Sequence, residues 1–319
     1  MNIGIIGCGY IGKKRAKTLK GHNLLMVCDK DRSKAQHFDK KTPWTDDYKD
    51  VINNENIEIV IISTTNDFLV PIALYAAEKN KHILIEKPAA KSASELKVLM
   101  DFVKDRNIKI KVGFNLRYHP GLLIAKMIVD SGKLGELMFL RGRYGHGGRL
   151  GYEKEWRSDV KISGGGELID QGVHLIDLSR WFLGEFKETS GSTHTYFWDM
   201  KVDDNSFISL QTEKGQKAWL HVSCTEWKNM FSLEIYGKKG KIQIDGLGGS
   251  YGKEKVMHYQ MLPDMKPPLS TLWEFDKDDS WQKEFDSFVG LIEKNLPVLN
   301  ESLNDAYEAL KIVDEVYKK

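Results

Sequence analysis

NIGIIGCGYIG, residues 2–12, decides the fold. An apolar strand runs directly into Gly7-Cys8-Gly9-Tyr10-Ile11-Gly12, and helix-forming residues follow from about 11 to 20, where Gly21 stops them. Each glycine answers a physical demand. Gly7 permits a tight turn, Gly9 lets backbone approach a pyrophosphate, and Gly12 lets helix and strand pack closely. Free N–H groups at the helix start, at Tyr10 and Ile11, suit phosphate oxygens. The next strand, NLLMVCDK, ends at Asp29, 17 residues beyond Gly12. A carboxylate at this spacing accepts hydrogen bonds from ribose hydroxyls and repels a 2′-phosphate, which favours NAD. Lys30, Arg32 and Lys34 follow closely. They either tolerate the 2′-phosphate of NADP or are a solvated helix start.

The alternation continues outward. IEIVIIS (57–63), HILIE (82–86) and IKIKVGF (108–114) read as strands, separated by the helical stretches 67–80 and 92–107. Strands alternating with helices of this length predict a parallel, doubly wound sheet. Ligands on such sheets bind beyond the strand C-termini. Four segments therefore fall together: the Gly7 loop, Asp29, Thr64-Thr65-Asn66, and Glu86-Lys87. A lysine ending an apolar strand at a cofactor crevice is a candidate acid or electrostatic group. The other reading of Lys87-Pro88 is a surface turn.

After a helix over 121–131 the texture changes. Six strand-like stretches between 136 and 246 follow in close succession, joined by turns such as Glu213-Lys214-Gly215. They predict an open, mostly antiparallel sheet with helices on one face. Its other face, rich in aromatic residues, is expected to meet a second copy in a homodimer or homotetramer. The domains are expected at 1–118 and 119–319, with the last helix, 301–318, a candidate to pack back on the first.

Inside the second half, GGGELIDQGVHLIDLSRWFLG (164–184) has the apolar spacing of a buried helix yet carries Asp170, His174 and Asp177. Asp170 and His174 are neighbours on a helix, and a carboxylate beside an imidazole can fix its tautomer and favour its charged form. That suits an orienting acid and a general base. It equally suits a core pair joining helix to sheet. Asp177 reads as structural. Gly164–Gly166 are either a flexible loop or bare backbone for close ligand approach. The long loop 142–163 carries Tyr144, Arg149, Trp156 and Arg157. Aromatic faces suit sugars and arginines suit phosphate or carboxylate, so these are candidate substrate-binding residues. Simple surface disorder is the alternative.

Composition narrows the classes. The chain has 319 residues, 41% hydrophobic and 29% charged, with net charge +2. That gives no electrostatic case for nucleic acid or an anionic membrane. The three cysteines lack a CxxC pair, so neither a disulfide framework nor a metal site is expected. No apolar run reaches membrane-spanning length and no signal peptide is expected, so the expected location is the cytoplasm.

GCGYIG, EKP at 86–88, GFNLRYHP at 113–120 and GGGELIDQGVHLIDL at 164–178 together resemble the Gfo/Idh/MocA family, over nearly the full length. The resemblance implies a Rossmann domain followed by an α/β domain with an open sheet. It implies NAD(P)-dependent redox chemistry on sugars, inositols or their derivatives, and Arg117, Arg149 and Arg157 extend the candidates to a nucleotide-sugar or uronate. It carries the family's catalytic lysine onto Lys87 and its Asp-x-x-x-His onto Asp170 and His174. His174 then exchanges the hydroxyl proton, Asp170 orients it, and Lys87 polarises the oxygen, with the formal base left open between Lys87 and His174. Asn115 and Arg117 match positions near nicotinamide and substrate, and Glu86 one near the nicotinamide ribose. Thr65 and Leu69 depart from the proline and histidine of many relatives. Inositol oxidation, NAD-dependent glycoside cleavage through transient oxidation, and NAD sensing without catalysis are the alternatives on this fold.

Overall fold

The computed structural model describes residues 1–263, 266–294 and 301–318. Its chain forms two compact units. The first comprises Met1–Phe114, Lys161–Gly164 and Trp281–Leu310; the second comprises Asn115–Val160, Gly165–Ser280 and Lys311–Lys319.

The first unit alternates β1 (Asn2–Ile6), α1 (Tyr10–Ala16), β2 (Asn23–Cys28), α2 (Arg32–Gln36), β3 (Trp44–Thr45), α3 (Tyr48–Asn53), β4 (Ile59–Ile62), α4 (Asn66–Glu78), β5 (His82–Ile85), α5 (Ala93–Val103) and β6 (Ile110–Val112). The six strands form one parallel sheet in the order β3-β2-β1-β4-β5-β6. Two crossovers diverge from β1, which creates the switch point where such sheets bind ligands. β4, Ile-Val-Ile-Ile, is buried on both faces, as a central parallel strand must be. Ile3, Ile5, Val27, Ile59, Ile61 and Leu84 make the core with Phe285 and Phe288. Helix α1 is shorter than the apolar spacing suggests. Thr18 and Leu19 make tighter i→i−3 bonds to Arg15 and Ala16, and the Thr18 hydroxyl donates to the Arg15 carbonyl.

The second unit runs α6 (Pro120–Asp130), β7 (Leu137–Gly145), α7 (Val160–Ser163, which lies in the first unit), α8 (Val173–Leu183), β8 (Phe186–His194), β9 (Asn205–Thr212), β10 (Lys217–Ser223), β11 (Met230–Gly237), β12 (Gly240–Asp245), β13 (Glu254–Gln260) and β14 (Leu269–Phe275). Helices α9 (Ser280–Glu293) and α10 (Glu301–Lys318) complete the chain. The eight strands are ordered β14-β13-β12-β11-β7-β10-β9-β8, antiparallel except for β7 with β10. Alternation sends Leu140, Leu220, Val222, Phe231, Leu233 and Ile235 inward. The other face carries the stacked pairs Phe139–Tyr236 and Phe207–His221 and the exposed Trp219. β13 and β14 were not expected from sequence. β13 turns Glu254 and His258 inward, and β14 is an exposed edge, so neither shows clean apolar alternation.

Candidate active site

In the first unit, strand register sets the site. Ile6 is paired with Cys28 and Ile62, and Ile62 with Ile85. The residues that follow, Gly7, Asp29, Ser63 and Glu86, therefore stand at one level beyond the strand C-termini. The Gly7 N–H donates to Cys28, that of Ser63 to Ile6, and that of Glu86 to Ile62. Gly7 has φ +103°, and a Cβ there would lie 2.4 Å from the Ser63 carbonyl oxygen. A Cβ on Gly12 would lie 1.9 Å from that of Gly7. At Gly9 a Cβ would meet no protein atom within 4 Å. Two glycines thus serve the protein's own packing and the middle one faces open space, which fits a loop built around a dinucleotide.

The Asp29 carboxylate is oriented from behind. Its Oδ2 accepts from the Cys8 N–H at 2.8 Å and its Oδ1 from the Asp31 N–H at 2.9 Å. The nearby cations have partners of their own. Lys30 lies over the Phe68 ring at 5.1 Å, Arg32 pairs with Asp46 at 2.5 Å, and Lys34 with Asp31 at 3.5 Å. Thr64 and Thr65 precede α4, and the Asn66 amide donates to the Ser163 carbonyl at 2.8 Å. Tyr10 is exposed.

Sequence reasoning missed Arg15. It is wholly buried on α1, with Nη1 2.6 Å from Glu284 and Nε and Nη2 each 2.6 Å from Glu86. The Trp281 ring lies 4.3 Å from its guanidinium carbon. Burial opposes its charge, yet Glu86 and Glu284 outweigh burial and raise its pKa. Glu86, expected near a ribose, thus has one oxygen committed to Arg15. That pair anchors the backbone immediately before Lys87, whose bond to Pro88 is cis. A Cβ on Gly113 would strike both Arg15 and Glu86, at 2.7 and 2.9 Å, so a glycine is needed beside the pair.

In the second unit, the helix bearing Asp170 and His174 begins at Glu167 with a π-turn over Leu168–Gly172 before α8. Such wide turns inside α-helices cluster at functional sites. Asp203, invisible to pattern reading, holds the helix start. Its carboxylate accepts from the N–H groups of Gly166 (3.0 Å) and Leu168 (2.8 Å), and from the hydroxyls of Ser206 and Tyr317, both at 2.8 Å. The glycine triplet is explained here without a ligand. Added Cβ atoms would lie 2.8 Å from the Lys91 backbone at Gly164, 2.3 Å from the Tyr317 hydroxyl at Gly165, and 2.1 Å from the Asp203 carbonyl at Gly166. The close approach is by protein, which corrects the expectation of backbone bared for a ligand.

Asp170 Oδ2 accepts from Arg157 Nε at 3.1 Å, and Arg157 Nη1 lies 3.6 Å from Glu155. Arg149 pairs with both oxygens of Glu155, at 2.6 and 2.7 Å. His174 is buried, its ring edge-on to Tyr144 at 5.9 Å. Tyr144 is itself buried between His174, Phe231 and Tyr251. Burial, with Tyr251 beside it, pushes its phenol well above the usual range, so it stays a neutral hydrogen-bonding wall. Beneath, His146 Nε2 faces Glu167 at 3.2 Å while the Gly148 N–H donates to Nδ1. Trp156 stacks under the Arg157 guanidinium at 4.6 Å. Arg117 binds Asp177 bidentately, at 2.8 and 2.5 Å, and Asp177 is almost fully buried. The Asn115 amide donates to Ser280 at 3.3 Å.

Among the described residues, no group of three or more His, Cys, Asp or Glu side chains could hold a metal. No helix among them is long and apolar enough to cross a membrane. The three cysteines are buried free thiols, and burial pushes Cys8 and Cys28 up to about 12.

Comparison with known proteins agrees with these features. Residues 1–114 match the oxidoreductase family with an NAD-binding Rossmann fold, GFO/IDH/MocA, and residues 122–243 match the C-terminal domain of the same family. The chain belongs to the GFO/IDH/MocA family of NAD-binding oxidoreductases. It is 30% identical to levoglucosan dehydrogenase of Pseudarthrobacter phenanthrenivorans over 67% of its own length and 59% of that enzyme's. It is 26% identical to inositol 2-dehydrogenase of Salmonella typhimurium over 100% of its length and 94% of that enzyme's. In fold it is similar to levoglucosan dehydrogenase in complex with NADH and levoglucosan. The TM-score is 0.86 at 24% identity, covering 100% of this chain and 96% of that one.

Proposed function

We propose that this chain oxidises a secondary hydroxyl of an uncharged sugar or cyclitol with NAD, using Lys87, Asp170 and His174. The observation that carries the uncharged substrate is the pairing of three arginines. Arg117 is neutralised by Asp177, Arg149 by Glu155, and Arg157 by Asp170. A phosphate or carboxylate bound there would compete with a carboxylate already in place. The named substrates of the relatives, levoglucosan and inositol, are uncharged polyols. The Asp29 carboxylate, held by the Cys8 and Asp31 N–H groups, supports NAD over NADP.

NAD supplies the hydride acceptor when bound. Gly7, Gly9, Tyr10, Ile11 and Gly12 would hold its pyrophosphate, Asp29 and Lys30 its adenosine ribose, and Thr64, Thr65, Asn66, Glu86 and Asn115 the nicotinamide half. His174 takes the hydroxyl proton as the carbon–oxygen double bond forms, and Asp170 stabilises the resulting imidazolium. Lys87, as the family resemblance implies, polarises the substrate oxygen and eases its deprotonation. Tyr144 and Trp156 supply walls for the sugar's C–H faces. NAD as cosubstrate supports a cytoplasmic location.

A screen of NAD⁺ and NADP⁺ reduction against inositols, anhydrosugars, uronates and nucleotide-sugars tests the reading. Uncharged polyols with NAD⁺ should give the highest kcat/KM. Best turnover of a uronate or nucleotide-sugar would sink the uncharged assignment. The aromatic outer face of the eight-stranded sheet supports homo-oligomer formation. Light scattering should find a dimer or tetramer, and Trp219→Glu should lower the mass. A monomeric wild type contradicts that part.

A further inference from the structure

Arg157 has the chemistry of an anion receptor, yet it donates to the one carboxylate on which the proposed base depends. From Arg149 the charges alternate along one string: Arg149, Glu155, Arg157, Asp170. The outer member is well exposed and the other three are largely covered. Arg149 is 65% exposed, Arg157 32% and Asp170 17%. Trp156 lies under the guanidinium, and Tyr152, on the same loop, is buried beneath Trp198. Burial opposes the Arg157 charge, and Asp170 outweighs that to raise its pKa. The guanidinium thus lies against an indole on one face, donates through Nε to Asp170, and has Glu155 3.6 Å from Nη1. A rigid, planar fork of this kind orients a carboxylate where a flexible ammonium cannot.

The need for such orientation is local. Asp170 sits in the π-turn that precedes α8, a feature frequent at functional sites. We propose that Arg157 is a positioning residue for Asp170, holding that carboxylate's rotamer through Nε while Glu155 and Trp156 hold the guanidinium. Loop 146–159 thereby serves the catalytic pair rather than a substrate anion. This rests on the reading of Asp170 and His174 as the acid–base pair. Glu155 ties the strap to Arg149, so the effect passes outward with declining strength.

The test uses the full-length enzyme with NAD⁺ and the best uncharged polyol. Arg157→Met should lower kcat 10- to 100-fold with KM and NADH affinity nearly unchanged. Arg157→Lys should recover only part of the loss, and added methylguanidine should partly restore kcat in Arg157→Ala. Arg149→Met should cost less than 3-fold. A raised KM with kcat intact would make Arg157 a substrate ligand, and full kcat in Arg157→Met would remove any role; either result overturns the proposal. Asp170→Asn and His174→Ala separate this from the reading beneath it. If both keep near wild-type kcat, the acid–base pair itself is misassigned. If both lose it while Arg157→Met does not, only the positioning role fails. Melting temperatures of all variants distinguish loss of fold from loss of positioning.

Discussion

Arg15 and Arg157 each stand between two carboxylates, one in each compact unit, in very different surroundings. Arg15 has no exposed surface, and its three contacts are all 2.6 Å. Its partners come from strand β5's end and from α9, so it joins segments 71 and 269 residues away along the chain. Arg157 is about a third exposed, and its carboxylate neighbours, Asp170 at 3.1 Å and Glu155 at 3.6 Å, lie within 13 residues of it. The first arrangement fixes a scaffold, because a buried charge left unpaired costs several kcal/mol. The second orients a side chain, and a partly exposed pair of this kind contributes little to the stability of the fold.

The largest effect should follow from breaking the scaffold. Arg15→Met strands two buried glutamates and should cost about 3–5 kcal/mol, seen as a large fall in urea midpoint or failure to fold. A variant with near wild-type stability would show that Arg15 is no more structural than Arg157. The Arg157→Met substitution should fall on the other side of the comparison, with turnover reduced and melting little moved.

The smallest effect sharpens the account of the Arg15 cluster. One guanidinium faces two carboxylates. Burial raises the Glu284 carboxyl, against the pull of Arg15 and with Glu86 adding to the rise. A carboxyl whose pKa rises on folding contributes stability that is present below its unfolded pKa and lost as pH climbs through the folded one. The advantage of wild type over Glu284→Gln in melting temperature should therefore be greatest at acid pH and shrink as pH rises above the ordinary glutamate range. An advantage that grows with pH would mean that Glu284 works as a full charge partner of Arg15.

The same contrast explains what the sequence makes legible. Gly7, Gly9 and Gly12 answer backbone demands with fixed spacing, and alternating strands and helices dictate the order of the parallel sheet. Both could be read from the chain. Asp170 and His174 stand out because polar residues interrupt an apolar helical stripe. Arg15, Asp203 and Glu284 carry no such mark. Arg15 sits in a run of lysines typical of a solvated helix, and Glu284 on an amphipathic helix with many charges. Their roles depend on partners far along the chain. Arg157 was legible as a cation suited to an anion, but the carboxylate it donates to is Asp170. Residue type gave its chemistry and only geometry gave its direction. Strands β13 and β14 escaped for a related reason, since β13 buries His258 and also Glu254, which meets His119 and the Gly121 N–H, rather than showing apolar alternation.

The central claim is that His174 takes the substrate proton. Single-turnover reduction of NAD⁺, followed by nicotinamide absorbance with an uncharged polyol, tests it most directly by comparing wild type with His174→Ala. The variant should bind NADH as tightly as wild type and lose about 10²–10⁴ in the hydride-transfer rate. Hydride transfer at the wild-type rate in His174→Ala, with NADH binding intact, would contradict the assignment.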